Sequence, residues 1–222
     1  MRKFIMGILV ALFLMPVPLW AAETLVGHYA FDSFDNLQVV VKNNETVRIN
    51  ITDDGSEVFF MLLNDGKRWM VGRDNDESVW EAFDFDALVL FMQATKEQMS
   101  DISATAEITK DGDQTVGGIA GEAFNVKYPD EHFRLVVTEN AEIVTLTNAM
   151  YTIFADIDDD ELAIMVQTLQ SLNKENGKDY GLLQYNEEFT FLSLEQKNYP
   201  DSYFNLPENV EILGIDEIFS GE

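Results

Sequence analysis

The chain is 222 residues long and 46% hydrophobic, has no cysteine, and sets 40 acidic against 14 basic residues for a formal net charge of −26. That length suffices for one domain with a substantial core, and without cysteines the fold has no disulfide staples and relies on burial. A field this negative repels phosphate backbones and anionic headgroups, and no basic cluster interrupts it, so nucleic acid is not an expected partner.

The N-terminus reads Met1-Arg2-Lys3, then an uncharged apolar run from Phe4 to Leu14, then Pro16, Pro18 and Trp20-Ala21-Ala22. A basic start, an apolar middle and small residues at the end form the pattern of a secretory signal peptide, residues 1–22. The run is shorter than the roughly 20 residues that span a bilayer. Cleavage near Ala21 or Ala22 would leave one domain, 23–222, in the periplasm or outside the cell. No cysteine follows for lipid attachment, so the mature protein is expected to be soluble; no transmembrane segment is expected in it, and it is expected to be a monomer. Arg2 and Lys3 leave with the leader, so 12 basic residues face 40 acidic ones in the mature part, a net −28.

Thr24–Phe31 (TLVGHYAF) reads as a first strand. From Leu37 to Val71 four β-type runs are separated by Asn43-Asn44, Asp53-Asp54-Gly55 and Asn64-Asp65-Gly66, residues that readily take the positive φ of tight hairpin turns. Val47, Ile49 and Ile51 alternate with Arg48, Asn50 and Thr52, which predicts one buried and one wet face. Val58–Leu63 is apolar throughout, as in a central strand covered on both faces. The result is an antiparallel meander that needs a cover.

Beyond the polar loop Asp74–Glu77, the spacing of Phe85, Leu88, Phe91, Met92 and Met99 predicts a helix within Trp80–Met99. Ser103–Lys110 is read as a strand ended by Asp111-Gly112-Asp113. Gly117-Gly118-Ile119-Ala120-Gly121 is a turn or bulge leading into a strand through Phe124, Val126 and Tyr128. Pro129-Asp130 turns the chain and His132–Thr138 returns. Helical periodicity begins near Asn148. Leu162, Met165, Val166, Leu169 and Leu172 form one stripe of an amphipathic helix stopped by Gly177. Tyr180–Tyr185 and Phe189–Gln196 are again β-type, and Ser202–Leu213 is an aromatic loop with a last short extended piece. The fold class is α+β in one domain.

Asp156-Ile157-Asp158-Asp159-Asp160-Glu161 invites a calcium reading. An EF-hand loop needs Gly at its sixth position and Glu at its twelfth, where this chain has Glu161 and Gln167. Counting from Asp74 places Val79 and Phe85 there. Asp158 as N-cap with Glu161 three residues on explains the first acidic run as a helix start. His28 and His132 are the chain's two histidines, and neither neighbours a nucleophile motif; G-x-S-x-G is absent. Two histidines and no cysteine make a poor zinc set. No catalytic residue, metal site or cofactor is predicted, and the chain is not expected to be an enzyme.

Three segments carry a resemblance: Asn64–Val71 (NDGKRWMV), Thr115–Tyr128 (TVGGIAGEAFNVKY) and Tyr199–Ile212 (YPDSYFNLPENVEI). Through them the chain resembles a family of bacterial periplasmic proteins of unknown function with a fold like that of the outer-membrane lipoprotein carriers. The resemblance implies a curved antiparallel sheet, an incomplete barrel, with helices against its concave side. Carriers of that kind hold acyl chains in the hollow, so the implied partner is a lipid or a lipoprotein. The residues alone leave two arrangements open. Val58–Leu63 and Phe189, Phe191, Leu192 and Leu194 offer apolar surface on both faces, and helices fill the hollow, or they leave room lined by Met61, Met70, Met92, Met150 and Met165. The function expected is a non-catalytic carrier of an apolar ligand; the alternative is an envelope protein that binds another protein.

Overall fold

The structure, a computed structural model, describes residues 23–31, 34–53, 55–73, 79–95, 106–129, 131–154, 160–215 and 217. The leader 1–22, the loop Asp74–Glu77, Met99 and the acidic run Asp156–Asp159 with its expected cap Asp158 lie outside these. Among these residues twelve strands and three α-helices follow one another. β1 (Thr24–Phe31), β2 (Phe34–Asn43), β3 (Thr46–Asp53), β4 (Ser56–Asn64), β5 (Lys67–Arg73) and β6 (Trp80–Asp84) precede α1 (Phe85–Thr95). β7 (Glu107–Val116), β8 (Ile119–Lys127) and β9 (His132–Thr138) precede α2 (Ala141–Phe154) and α3 (Asp160–Asn176). β10 (Gly181–Tyr185), β11 (Phe189–Lys197), a 3-10 turn (Asp201–Phe204) and β12 (Val210–Ile212) end the chain.

All strands join one sheet in the order β12-β6-β5-β4-β3-β2-β1-β11-β10-β9-β8-β7. Every ladder is antiparallel except β12 on β6, and the sheet is open, with β12 and β7 as its edges rather than closed into a barrel. Two meanders, β1–β6 and β7–β11, are joined where β1 pairs with β11. The turn between β7 and β8 has positive φ at Gly117 and Gly118. A Cβ at Gly117 would lie 2.6 Å from the Phe191 ring and 2.8 Å from the Leu192 carbonyl oxygen, so only glycine lets this tip touch β11.

The expected strands Thr24–Phe31, His132–Thr138 and Phe189–Gln196 stand within a residue of the reading, and α3 ends before Gly177, which has φ 63°. Asp65 (φ 51°) and Gly66 (φ 74°) make the positive-φ hairpin turn, and Gly55 serves the one before. Asn43-Asn44 works differently. Neither residue has positive φ; the Asn43 side-chain oxygen instead accepts from the Glu45 amide at 2.8 Å.

Other boundaries differ for identifiable reasons. Trp80–Asp84 is a strand, because it pairs with β5 and β12, and the Asp84 carboxylate accepts from the Ala87 amide at 3.1 Å to start α1 at Phe85. Asp111-Gly112-Asp113 does not end a strand; the ladder shifts register between Lys110 and Gly112 (φ 110°), and β7 continues to Val116 through that bulge. α2 begins at Ala141 rather than near Asn148, because Asn140 accepts from the amides of Glu142 and Ile143 at 3.0 and 3.2 Å.

The sheet is buried on both sides, and the helices divide between them. Val39, Ile49, Met61, Ala123, Val136, Leu183 and their neighbours meet α1 through Phe85 and Val89 and α2 through Ile143, Leu146 and Ile153. The alternate residues of β8 and β9, Phe124, Val126, Leu135 and Val137, meet α3 through Leu169 and Leu172 on the other side. Placing every helix on one side is therefore corrected. Strands that are apolar at successive positions need two covers, and the α2–α3 pair supplies one to each side.

The wet face expected for β3 is also corrected. Arg48 is 8% exposed and Asn50 5%, under the segment 199–213, which we call the strap. Phe60 and Leu62 of β4 point to the same side and pack with Phe204, while Met61 and Leu63 point to the helices, as the unbroken apolar run requires.

Candidate functional site

The largest continuous apolar interior lies between the sheet and the helices α1 and α2. Alternating residues of β1–β4 and β7–β11 contribute to it, so both meanders share it. Close approach of α2 depends on two glycines. A Cβ on Gly181 would lie 2.6 Å from the Ile143 backbone, and one on Gly27 would lie 2.5 Å from the Leu146 side chain. Thr147 fixes the register, its hydroxyl oxygen accepting from the Leu182 amide at 2.8 Å. Arg68 ties the two helices together at the other end. It donates to the Asp86 carboxylate in the first turn of α1 and, at 3.3 Å, to the Ile153 carbonyl at the end of α2.

Of the methionines expected to line a hollow, Met61 and Met150 are buried in this interior and Met70 packs against it. Met165 belongs to the opposite side, under α3, and the Met92 side chain is outside the described residues. Phe191 is buried here, Phe189 and Leu194 border it, and Leu192 and Val58 face solvent.

Two buried hydroxyls, one bordering each of the two helix-covered clusters, were not foreseen from the sequence. Among the described residues the Tyr29 hydroxyl, on a residue with no exposed surface, has no hydrogen-bond partner; nor does the buried hydroxyl of Tyr151, on α2. The Tyr29 ring stacks on Phe189 at 4.7 Å and meets Phe191 edge-on at 5.4 Å. Tyr151 and Phe189 both border the cluster under α3. Burial pushes both phenols well above the usual tyrosine range, so each remains a neutral O–H donor. The Asn36 side-chain oxygen is the other buried polar atom without a partner among the described residues. Alternation in TLVGHYAF was the available signal for Tyr29, which falls on the same side as Leu25 and Gly27.

The remaining expected residues do not converge. His28 lies 3.3 Å from Glu195 across the β1–β11 ladder, and His132 is exposed at the start of β9. Among the described residues no group of three His, Asp or Glu side chains is placed to hold a metal ion. No described helix is long and apolar enough to cross a membrane.

The second polar cluster lies under the strap. The Arg48 guanidinium sits 3.6 Å over the Phe60 ring and 4.5 Å from that of Tyr203. It donates to the Asn50 side-chain oxygen at 2.6 Å, the Tyr203 carbonyl at 3.0 Å and the Glu57 carboxylate at 2.8 Å. Asn50 in turn donates to Gln38 at 2.8 Å and to the Tyr203 hydroxyl oxygen at 2.7 Å. Every polar group of this pair is used, which marks the cluster as a structural clasp rather than a vacant site.

Comparison with family models, with curated proteins and with solved structures found no match for this chain.

Proposed function

We propose that this protein is an exported, non-catalytic carrier of an apolar ligand, held between the sheet and the helices α1 and α2. The observation that carries the reading is a single apolar interior shared by both meanders, with the adaptable side chains Met61 and Met150 in it, Met70 against it, and α1 and α2 across it. A curved sheet with those helices over its hollow is part of the proposal. Its support is the contact between Gly117 and Phe191: β7 and β11 are four ladders apart, about 19 Å on a flat sheet at 4.8 Å per strand. The Arg68 bridge pins both helices where they would separate to admit a ligand. Export follows from the leader pattern, and the protein isolated from its host should begin near Glu23 by mass spectrometry; an N-terminus at Met1 would defeat that part.

Mild purification from the host, solvent extraction and mass spectrometry test the carrier reading. A copurified lipid, displaced by a fluorescent fatty-acid probe, is the expected result. A clean extract with no probe binding would leave a fully packed interior. One observation favours the alternative, an envelope protein that docks another protein: Leu90 on the outer face of α1 is 67% exposed. Under that reading Leu90→Lys abolishes partner capture, whereas under the carrier reading it leaves bound lipid in place.

A further inference from the structure

We propose that the strap is a peptide held in cis: it fills a groove that also takes an extended segment of another protein, one with an acidic residue two places ahead of a Tyr-Phe pair. The groove lies on the side of the sheet away from α1 and α2, so the inference goes beyond the carrier reading and does not depend on it. Within 199–213 Phe204 is the single buried side chain, with Tyr199, Tyr203, Leu206 and Val210 half-buried around it. Regular structure is limited to the 3-10 turn Asp201–Phe204 and the three residues of β12, which pair with β6 at the sheet edge. One aromatic anchor in an apolar pocket with a half-exposed polar rim is the anatomy of a docked peptide rather than of a core element.

The floor states which segment it accepts. Arg48 donates to the Tyr203 carbonyl and Asn64 to the Phe204 carbonyl, both at 3.0 Å, and these bonds hold any extended main chain. Identity is read at three further places. Asn50 donates to the Tyr203 hydroxyl at 2.7 Å, the Lys42 ammonium meets the Asp201 carboxylate at 2.7 Å, and Phe204 fills the pocket of Val26, Val40, Phe60 and Val71. Lys42, Arg48 and Lys197 lie 5.9, 4.5 and 5.3 Å from the rings of Phe204, Tyr203 and Tyr199, so a chain of net charge −26 gathers cations here. An acidic, aromatic segment complements that floor. The floor also tolerates uncovering: Arg48, Asn50, Lys42 and Asn64 exchange the strap for water, whereas the apolar floor under α3 has no such exchange to make. A tethered strap acts at an effective concentration in the millimolar range, so a partner enters where it docks more tightly or where the strap is loosened.

The test uses the full chain carrying Phe204→Ala, which loosens the strap without shortening the protein. A fluorescein-labelled peptide copying residues 199–213 is the probe, read by fluorescence anisotropy. The loosened chain should bind it about a hundredfold more tightly than the wild-type chain, whose own strap competes. A second peptide that keeps only residues 201–204 in a Gly-Ser background should displace the probe, and its form with alanine in place of the phenylalanine should need about a hundredfold more. Arg48→Lys added to the loosened chain should weaken binding about tenfold. If Phe204→Ala does not fold, Tyr203→Ala takes its place with the same expectations; failure of both to fold would make the strap part of the folding core and overturn the inference. Absence of probe binding to the loosened chain would overturn it as well. Displacement by the full copy but not by the short motif would mean that the groove serves its own strap alone. Wild-type dimers that grow with concentration in light scattering would assign the groove to the strap of a second copy. Either result would overturn the foreign partner, and each leaves the carrier reading as it stands.

Discussion

Over β8–β10 the side of the sheet away from α1 and α2 is covered by a helix, and over β2–β4 the same side is covered by the strap; the two covers work by different physics. α3 lays Leu169 and Leu172 on Phe124, Val126, Leu135 and Val137, apolar on apolar, with one polar contact of note, 3.2 Å between the Tyr128 and Thr168 hydroxyls. The strap has little regular structure, and it covers Arg48 and Asn50 as well as Phe60 and Leu62. It can do so because it brings its own acceptors and π-faces: the Tyr203 carbonyl, hydroxyl and ring, and the Phe204 carbonyl, which accepts from Asn64 at 3.0 Å. A helix has no free backbone groups along its length to offer, so it suits an apolar floor; an irregular segment has them and needs partners. The cover matches the polarity of the floor beneath it.

The comparison is broken most severely by removing the strap's anchor. Phe204 is buried among Val26, Val40, Phe60 and Val71, with the Lys42 ammonium 5.9 Å from its ring. Phe204→Ala should weaken strap docking by about 4 kcal/mol. Hydrogen exchange should then rise through residues 199–213 while β8 and β9 stay protected. Equal loss of protection in both halves would show that the strap is not a separate cooperative unit.

The converse change is Leu169→Ala under α3, expected to cost about 3 kcal/mol because a buried leucine leaves a cavity among aromatic neighbours. Chemical denaturation should show that loss as a lower midpoint with an unchanged slope. Protection of the strap should fall only as far as global stability falls. Selective loss in the strap would contradict the independence of the two covers.

The same contrast explains what could be read from the sequence. Alternation and hairpin residues located β1–β5 and β8–β11, and the stripe from Leu162 to Leu172 located α3, because these signals are local. In β3 the alternation was real, yet the inference that Arg48 and Asn50 face water failed. Their partner Tyr203 lies 155 residues away from Arg48, and no local pattern encodes such a cover. β6 was hidden for a related reason: its ladder with β12 pairs Trp80 with Val210, again a distant match. Part of the apolar interior was legible through the run Val58–Leu63 and through Met61, Met70 and Met150, whereas Met165 lies on the opposite side. The orphaned hydroxyls were not, because a tyrosine in a strand reads the same whether or not its oxygen finds a partner.

A smaller change sharpens the account of the strap. Arg48→Lys keeps the charge but replaces a planar fork, which meets Asn50, Glu57 and the Tyr203 carbonyl at once, by a single ammonium. The stacking between Phe60 and Tyr203 is lost with the plane. A loss of about 1–2 kcal/mol, confined to the strap by hydrogen exchange, is expected. A variant as stable as the wild type would mean that the charge alone, and not the fork, holds the strap.

The smallest effect belongs to the α3 half, where electrostatics act at the surface. Glu122 on β8 lies 3.0 Å from Lys178 and 3.1 Å from Lys110, and Lys178 also meets Glu139. The hydrogen bond from Lys178 is the main cause that holds the Glu122 carboxyl below its ordinary value, against a partial opposing push from burial. A carboxyl lowered on folding stabilises the fold above its unfolded pKa of about 4.3, and that contribution is lost as the pH falls through the lower folded value. Glu122→Gln should therefore lower the melting temperature by about 1–2 °C near pH 6, since pairs this exposed contribute little. Below about pH 4 the difference between the two proteins should shrink towards zero as the wild-type carboxyl takes up its proton. A difference that persists at pH 3 would show that Glu122 acts through packing beside Tyr180 rather than through its charge.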